Sequence, residues 1–404
     1  HTRNNDVHYQ FRPDSDFFYL TEFPEPEAVA VLAPGREHGE FVIFCREKDP
    51  KKEIWDGRRA GLEGAVEHYG ADDAYPIEDI DDILPGLLEN RSKVFSSMGR
   101  YKEFDNKLID WVNEVRSKGR SGITAPNEFV CLDTILHEHR LIKKIEELRI
   151  MKRAGRISAA AHCKAMQYCK PGKKEYQVQA VLEHEFKIQG CQYTAYPPIV
   201  ASGANACILH YTENTDMLKD GDLLLIDAGA ELDCYASDIS RTMPVNGKYS
   251  AEQKAVYEIV LEAQNSAFEQ IKPGNEWNEP HEAAVKTIVE GLIDLKILKG
   301  SVEDEIENQG YRKFYMHRTG HWLGMDVHDV GDYKIADKWR LLEPGMVLTV
   351  EPGLYIPDDK DVDPKWRNIG IRIEDNVVVT KEGSTVITEG VPKKPEDVEA
   401  MMAS

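Results

Sequence analysis

Short apolar runs alternate with Pro and Gly breaks in the N-terminal part of the chain, a pattern typical of strands joined by turns. Residues 28–32 and 41–44 form two such runs, with Pro34-Gly35 between them. Apolar residues at helical spacing over residues 106–118 predict a helix, for which Asp105 is a candidate N-cap. We therefore predict an N-terminal α/β domain.

A longer helical pattern follows. Its apolar positions are Leu141, Ile145, Leu148, Met151 and Ala154. We place the domain boundary near Arg140, which gives an N-terminal domain of residues 1–140 and a second domain of residues 141–404. A charged helix start at the boundary, rather than a Gly/Ser linker, indicates that the domains do not tumble freely. Because the chain opens at His1 without Met and reaches apolar sequence almost at once, we expect that residues were trimmed upstream.

The second domain contains an approximate internal repeat. Residues 170–172 and 272–274 both read Lys-Pro-Gly, and each lies between two amphipathic helical segments. Further on, Gly221 and Gly345 each introduce an apolar strand. Two halves of helix, helix and strands, related by a pseudo-two-fold axis, would explain this order, and chance matching of short motifs is the alternative.

Composition narrows the classes of function. The chain has 404 residues, enough for two or three domains, with 50 Lys and Arg against 71 Asp and Glu, a formal charge of −21. This balance disfavours nucleic acid and anionic membranes as partners. No apolar run approaches the roughly 18 residues of a membrane span. Seven cysteines at scattered spacing, without a CxxC, favour reduced thiols in a cytoplasm over a disulfide framework or a zinc knuckle.

Carboxylates stand at the ends of the apolar strands. Asp227 closes one strand, and Asp238 follows eleven residues later, so a hairpin would place the two side by side. Adjacent carboxylates repel unless a proton or a cation lies between them. A surface hairpin with solvated Asp side chains is the alternative, which the preceding apolar run disfavours.

Glu351 occupies the matching place in the second half, six residues after Gly345, as Asp227 is six residues after Gly221. Glu374 shares a strand face with Arg372 by alternation. If the halves converge, four carboxylates would require roughly two divalent cations.

An imidazole is available near this set. His321 precedes Glu351, although a lone His beside a Trp is more often a packing residue than a ligand. A carboxylate-rich site with one imidazole suits Mn²⁺, with Co²⁺, Fe²⁺ and Zn²⁺ as alternatives.

The ordered set of five residues resembles the metal ligands of the pita-bread metallopeptidases, which include methionine aminopeptidase, prolidase and aminopeptidase P. These residues are Asp227, Asp238, His321, Glu351 and Glu374. The segments 208–214, 321–331 and 351–356 resemble the aminopeptidase P family of Xaa-Pro aminopeptidases in particular. Residues 14–21 and 53–59 resemble its first domain, so the resemblance covers essentially the whole chain. Because that domain normally begins further upstream, the resemblance also implies that the N-terminal domain lacks its first elements, a helix and a strand.

The resemblance implies an α/β domain followed by an α+β pita-bread catalytic domain. Asp227 would bind one metal ion, Asp238 and Glu374 would bridge two ions, and His321 and Glu351 would bind the second. A hydroxide held between the ions would attack the bond between the first residue of a peptide and a following proline. Glu351 would move its proton, and His328 would stabilise the oxyanion.

Further roles follow from the resemblance alone. His210, His317 and His328 are similar to histidines that hydrogen-bond substrate and intermediate, and Arg372 to an arginine that orients a carboxylate ligand. The remaining candidates for substrate contact are Tyr196, Tyr355, Trp55, Arg120 and Asp6. Trp55 resembles a tryptophan that reaches a neighbouring subunit's site in a homotetramer, with a dimer as the alternative.

Three other functions compete with Xaa-Pro aminopeptidase. A prolidase performs the same chemistry on dipeptides. A pita-bread domain without catalysis would bind peptides or proteins, but such domains usually lack at least one ligand. A creatinase-like hydrolase that uses no metal is disfavoured because all the carboxylates are present.

Overall fold

A computed structural model describes residues 2–404 of the chain. The chain folds into two compact units, which divide between His137 and Glu138, whereas the sequence predicted a division after residue 140. Among the described residues, no helix is both long and apolar enough to cross a bilayer.

The first unit combines short strands with helices. Its strands are β1 (Thr2–Asn4), β2 (Val7–His8), β3 (Val29–Leu32), β4 (Phe41–Cys45), β5 (Asp73–Pro76), β6 (Lys93–Ser96) and β7 (Glu128–Cys131). Its helices are α1 (Ser15–Thr21), α2 (Pro50–Asp56), α3 (Gly61–Tyr69), α4 (Ile80–Leu88), α5 (Lys102–Ser117) and α6 (Asp133–Leu141), the last of which continues into the second unit.

The predicted strands on either side of Pro34-Gly35 are confirmed. β3 and β4 pair antiparallel, with Val29 opposite Phe44, and β5 adds parallel to β4. The buried face of this sheet packs on apolar positions of α4 and α5, such as Val112 and Val115, which are fully buried. The first unit is therefore the α/β domain that the apolar pattern indicated.

The prediction that Asp105 caps a helix was wrong. Helix α5 begins at Lys102, so Asp105 already lies in its first turn. The Asp105 carboxylate instead accepts a hydrogen bond from the Gly99 N–H at 2.9 Å and closes the preceding loop.

The second unit is built from helix pairs followed by strands. Its helices are α7 (Ile145–Tyr168), α8 (Glu175–Ile188), α9 (Ala251–Gln270), α10 (Glu279–Asp294), α11 (Val302–Glu307) and α12 (Pro395–Ala403). Its strands in the first half are β8 (Tyr193–Thr194), β9 (Ile199–Ser202), β10 (Leu223–Asp227), β11 (Ala230–Leu232), β12 (Tyr235–Ala236) and β13 (Ser240–Pro244). Those in the second half are β14 (Lys334–Ile335), β15 (Lys338–Trp339), β16 (Val347–Val350), β17 (Gly353–Ile356), β18 (Ile369–Arg372), β19 (Asp375–Val379) and β20 (Ser384–Val386).

The two Lys-Pro-Gly turns make the same contacts in the two halves. Gly172 and Gly274 have φ values of 85° and 88°, which favour glycine. Their N–H groups donate to Leu218 and Leu342 carbonyls, both at 2.9 Å. The N–H groups of these leucines donate back to the residues after the glycines, both at 2.8 Å. The helix pairs α7–α8 and α9–α10 are thereby tied in the same manner to the segments that lead into β10 and β16, as the internal repeat requires.

The helical pattern predicted from Leu141 onward is interrupted. Helix α6 ends at Leu141 and α7 begins at Ile145, so the two residues belong to different helices. The intervening Lys143 N–H donates to the Gly345 carbonyl at 2.9 Å, outside any helix. Lys144 then caps α7, and its N–H donates to the Glu147 carboxylate. The apolar spacing alone did not reveal this break.

Helix α7 packs directly against backbone at Gly155. A Cβ at this position would lie 2.5 Å from the Ile387 carbonyl oxygen, which cannot move away as a flexible side chain could. Replacing Gly155 by Ala should therefore destabilise the second unit by about 1–3 kcal/mol through overpacking. Chemical denaturation, with hydrogen exchange of peptides from each unit as the readout, measures this change.

Gly86 provides the matched control because it is also a helical glycine, in α4, but its added Cβ would meet no heavy atom within 4 Å. Gly86→Ala should leave stability unchanged or raise it by up to ~1 kcal/mol through helix propensity. Equal effects of the two substitutions would show that the close approach at Gly155 is not limiting.

Candidate metal centre

Asp227 and Asp238 meet at the end of an antiparallel ladder. β10 pairs with β13 so that Asp227 lies opposite Ser240, and the Ala228 N–H donates to the Ile239 carbonyl. Asp238 thus lies just beyond the ladder, where the chain returns to β13 after forming β11 and β12. The Tyr196 hydroxyl lies between the two carboxylates, 2.5 Å from Asp227 Oδ1 and in close contact with Asp238 Oδ1, so its one proton can be donated to either. The predicted juxtaposition of the two Asp side chains is therefore present.

Glu351 and Glu374 lie where the second-half ladder is interrupted. β16 and β19 pair up to Val350 opposite Asp375, and pairing resumes with Gly353 opposite Arg372. The Glu351 N–H leaves the ladder and donates to the Thr319 carbonyl at 2.7 Å. Pro352 follows and has no N–H to donate, which favours an interruption at this point.

The Glu374 N–H crosses to the first half and donates to the Ser240 carbonyl at 3.0 Å. Backbone pairing across the repeat therefore delivers carboxylates from both halves to one place.

His321 presents one ring nitrogen to these carboxylates. Its Nδ1 lies 2.9 Å from the Trp322 carbonyl oxygen, which can only accept, so Nδ1 carries the proton. Nε2 faces Asp238 Oδ2 at 3.5 Å and Glu351 Oε1 at 3.7 Å. The neutral ring can therefore offer the Nε2 lone pair to a cation.

Negative charge exceeds positive charge in this cluster. Burial, followed by the charges of the other carboxylates, holds the pKa of Glu374 well above its usual range. Burial likewise raises the pKa of Glu351 to about 7 and that of Asp238 above its usual value. For His321 the hydrogen bond to Asp238 and the Glu351 charge outweigh burial and raise the pKa to about 9. The cluster thus favours additional positive charge.

Arg372 supplies part of that charge. Its Nη2 donates to Asp227 Oδ2 at 2.7 Å, and its Nε donates to the Ser240 hydroxyl at 2.9 Å. Ser240 in turn donates to Glu374 Oε2 at 2.8 Å. One guanidinium does not balance four carboxylates, so the donor chemistry fits divalent cations.

The donor geometry also fits a cation. Asp238, His321 and Glu374 each offer a ligand atom, and these atoms all lie within 4.8 Å of one another. Atoms that bind one ion at about 2.0–2.6 Å have separations of this size. Buried carboxylate oxygens with one imidazole match hard to borderline divalent metals.

The outer histidines lie around this cluster. His317 Nε2 is 2.9 Å from the Tyr355 hydroxyl, and Arg372 Nη1 donates to the same hydroxyl at 2.9 Å. The His328 ring contacts the His321 ring, with 4.4 Å between the centroids. Burial lowers the pKa of His317 to about 4 and also lowers the pKa of His328, and the His210 charge acts in the same direction on both. His317 and Tyr355 thus form one hydrogen-bonded chain with Arg372, and His210 lies within electrostatic range.

Three predicted substrate residues lie in the first unit. Asp6 lies between β1 and β2, Trp55 lies on α2, and Arg120 lies in a 3₁₀ turn over Lys118–Ser121. All three are exposed, and the Trp55 side chain is 86 % exposed. The second unit therefore brings together the five predicted ligands, the three histidines, Arg372 and the two tyrosines, but not these three residues.

Three polar residues that hold the predicted ligands were not among the sequence candidates. Ser240 joins Arg372 to Glu374, as described above. Thr349 accepts from the His321 N–H at 3.1 Å and lies 3.4 Å from Glu351 Oε1. Asn376 binds the Asp238 backbone on both sides, accepting at 2.9 Å and donating at 2.6 Å. Thr349 and Asn376 each stand two residues from a carboxylate, so period-two alternation could have identified them.

Comparisons with known protein families agree with this arrangement. Residues 149–381 match the model of metallopeptidase family M24. Residues 1–95 match the model of the aminopeptidase P N-terminal domain. The predicted fold class, an α/β domain followed by a pita-bread catalytic domain, is confirmed.

Individual relatives agree along the whole chain. The Xaa-Pro aminopeptidase of Escherichia coli (strain K12) is 45 % identical over 404 residues, covering 100 % of this chain and 91 % of the relative. The structure of Pseudomonas aeruginosa aminopeptidase PepP superposes with a TM-score of 0.98 at 58 % identity, covering 99 % of this chain and 91 % of that one. A zinc-substituted E. coli aminopeptidase P in complex with product superposes with a TM-score of 0.96 at 45 % identity, covering 100 % and 91 %. The chain therefore belongs to the M24 metallopeptidase family and, within it, to the aminopeptidase P group.

Proposed function

We propose that the protein is a metal-dependent Xaa-Pro aminopeptidase that releases the first residue of peptides with proline in second position. The observation that carries the proposal is the largely buried set of four carboxylates and one imidazole, whose excess negative charge favours bound cations. The similarity along the whole chain to relatives named Xaa-Pro aminopeptidase supports the substrate class.

We propose that the site holds two divalent cations, with Mn²⁺ as the first choice and Co²⁺, Zn²⁺ and Fe²⁺ as alternatives. Asp227 would bind one cation, Asp238 and Glu374 would bind both, and His321 and Glu351 would bind the other. When bound, such a pair of cations polarises a scissile carbonyl and lowers the pKa of a water molecule.

The chain's own residues would carry the remaining steps. Glu351 would accept the proton of the attacking water on a carboxylate oxygen and transfer it to the leaving proline nitrogen. His328 would donate a hydrogen bond to the developing oxyanion. The exposed position of His328 beside His321 leaves room for this contact.

Arg372, His317, His210 and the tyrosines would orient the reacting groups. Arg372 holds Asp227 through a charged hydrogen bond, and the chain from Arg372 through Tyr355 to His317 fixes the His317 ring. Because the Tyr355 hydroxyl has one proton and also accepts from Arg372, it would donate to His317, whose other nitrogen faces the Arg318 carbonyl.

The substrate explains why a dedicated site is required. A bond to proline nitrogen has no N–H, and the ring fixes φ near −65°, so recognition as an extended strand fails. A site for this bond must hold the ring and the free N-terminus instead. The substrate's α-amino group would bind near Asp227, which would restrict cleavage to the first residue.

We further propose a homotetramer in a reducing compartment such as the cytoplasm. Ile54 and Trp55 on α2 are 80 % and 86 % exposed, a degree of apolar exposure that supports contact with another subunit. Trp55, with Arg120 and Asp6, would then contact peptide at a neighbouring site, and a dimer is the alternative. The odd number of cysteines, without a CxxC, supports the reducing compartment.

Changing Glu351 to Gln should lower kcat on Ala-Pro-Ala by about 10²–10⁴-fold, because the amide cannot take up the proton. Mass spectrometry of released alanine measures the rate. Glu343→Gln is the matched control, since Glu343 is exposed in the turn before β16, the strand that Glu351 follows, and it should retain wild-type turnover. Survival of a tenth of the activity in the Glu351 variant would refute its assigned role.

Substrate length distinguishes the aminopeptidase from a prolidase. With equal amounts of Ala-Pro and Ala-Pro-Ala, the manganese-loaded protein should cleave the tripeptide much faster than the dipeptide. Cleavage of the dipeptide alone would indicate prolidase. Cleavage of neither peptide, with metal bound, would favour a binding function.

Chelation should abolish activity, and reloading should restore it with two cations per chain, measured by elemental analysis. Cation binding to the folded state should also raise the melting temperature, because a ligand at 100 times its Kd stabilises by about 2.7 kcal/mol. Asp238→Ala should remove most of this increase. A loaded protein with one cation per chain and full activity would contradict the proposed pair.

A further inference from the structure

His328 and Asp329 are consecutive residues with opposite surroundings. His328 is exposed beside His321, whereas the Asp329 side chain is 1 % exposed. One residue of the pair faces the reacting groups, and the next is buried in the protein. The position of the His328 backbone therefore depends on what holds Asp329.

Two buried, positively charged side chains, Arg140 and Lys143, hold the Asp329 carboxylate. Arg140 Nη2 lies 2.7 Å from Oδ1, and Lys143 Nζ lies 2.7 Å from Oδ2. The Arg140 and Lys143 side chains are 2 % and 1 % exposed. Buried charges are costly to desolvate, so each member of this cluster requires its partners in place.

The loop around His328 is fixed at further points. Arg140 also binds Asp326 Oδ2 at 2.8 Å, and the Asp329 N–H donates to the Trp322 carbonyl at 3.0 Å. A Cβ at Gly324 would lie 2.1 Å from Asp329 Oδ2, so the loop backbone packs directly on this carboxylate. Residues 322–329 thus fold around the buried Asp329 side chain.

Arg140 and Lys143 are far in sequence from the loop that carries His328. Arg140 lies at the end of α6, and Lys143 lies in the break before α7, where its N–H also donates to the Gly345 carbonyl. The break between α6 and α7 is what allows Lys143 to reach Asp329.

We infer that Asp329, held by Arg140 and Lys143, is a positioning residue that sets the location of His328 for catalysis. The inference rests on the proposed function, in which His328 contacts the oxyanion. Asp329 itself touches no reacting atom. A displacement of about 1 Å in a catalytic group costs about 10²-fold in rate, so the anchor would act through geometry alone.

The test begins with Asp329→Asn, which keeps the side-chain shape and removes the negative charge that Arg140 and Lys143 bind. We expect kcat on Ala-Pro-Ala to fall by about 10–10²-fold with KM and bound metal unchanged. Hydrogen exchange of peptides covering residues 322–331 should accelerate, with or without metal. Unchanged exchange in this segment would overturn the inference, whatever happens to the rate.

Glu138→Gln is the matched control. Glu138 lies two residues before Arg140 in the sequence. Its carboxylate pairs with Arg340, at 2.7 and 2.5 Å, and not with Arg140 or Lys143. It should keep wild-type kcat and wild-type exchange over residues 322–331. An equal loss of kcat in this control would overturn a specific role for Asp329.

A double-mutant cycle separates positioning from general structural damage. If Asp329 acts through His328, Asp329→Asn should cause no further loss of kcat in a His328→Ala background. Independent, multiplying losses would overturn the inference, as would full activity of His328→Ala. If Asp329→Asn does not fold, Lys143→Met removes one of the two positive charges on Asp329 and keeps an apolar side chain of similar length. It should then give a smaller loss of kcat and a smaller acceleration of exchange.

Failure of the proposed function gives a different result. If the wild-type protein cleaves no Xaa-Pro peptide, the proposed function fails, and accelerated exchange in Asp329→Asn still supports the anchor. If the wild type cleaves and both exchange and kcat are unchanged in Asp329→Asn, the proposed function stands and the positioning inference fails.

Discussion

The mutual repulsion of four carboxylates in a buried space is the constraint on which the second unit depends. Burial and neighbouring negative charges raise the pKa of Glu374, Glu351 and Asp238, so the cluster is unfavourable without protons or cations. Arg372 and His321 offset part of this charge. The rest of the fold holds the carboxylates together in spite of it, which is the condition for tight binding of divalent metal.

Backbone pairing provides the rigidity that this constraint requires. The predicted ligands lie where strand ladders end or are interrupted, so some of their N–H groups bond outside the ladder of their own half. The Glu374 N–H instead binds Ser240, and Asn376 holds the Asp238 backbone from the opposite half. Each half of the repeat therefore positions predicted ligands of the other, and neither half contains all five of them.

A second group of buried polar residues acts at a greater distance from the predicted metal ligands. Glu175 is fully buried, and its carboxylate accepts hydrogen bonds from the Ser202 N–H, the Tyr211 hydroxyl and the Asp216 N–H. These bonds fix the segment that carries His210. Asp329 does the same for the segment that carries His328. In both cases an exposed histidine adjoins or follows a residue that is held inside the unit. The outer histidines can thus face a substrate while their backbones remain fixed.

The sequence alone was enough to predict the order of domains, the internal repeat and the five candidate donors, because each depends on local signals. The Lys-Pro-Gly turns, the glycines before apolar strands and the carboxylates after them are all readable within short segments. The family resemblance then assigned the outer histidines, which spacing alone could not.

Only the tertiary structure decided which residues hold those donors in place. Ser240 and Glu374 are 134 residues apart, and Arg140 and Asp329 are 189 residues apart, so no local pattern links them. The break between α6 and α7 was also invisible, since apolar spacing continues across it while Lys143 binds distant groups. Contacts of this kind depend on how separate segments pack, and that packing is decided by the folded chain as a whole.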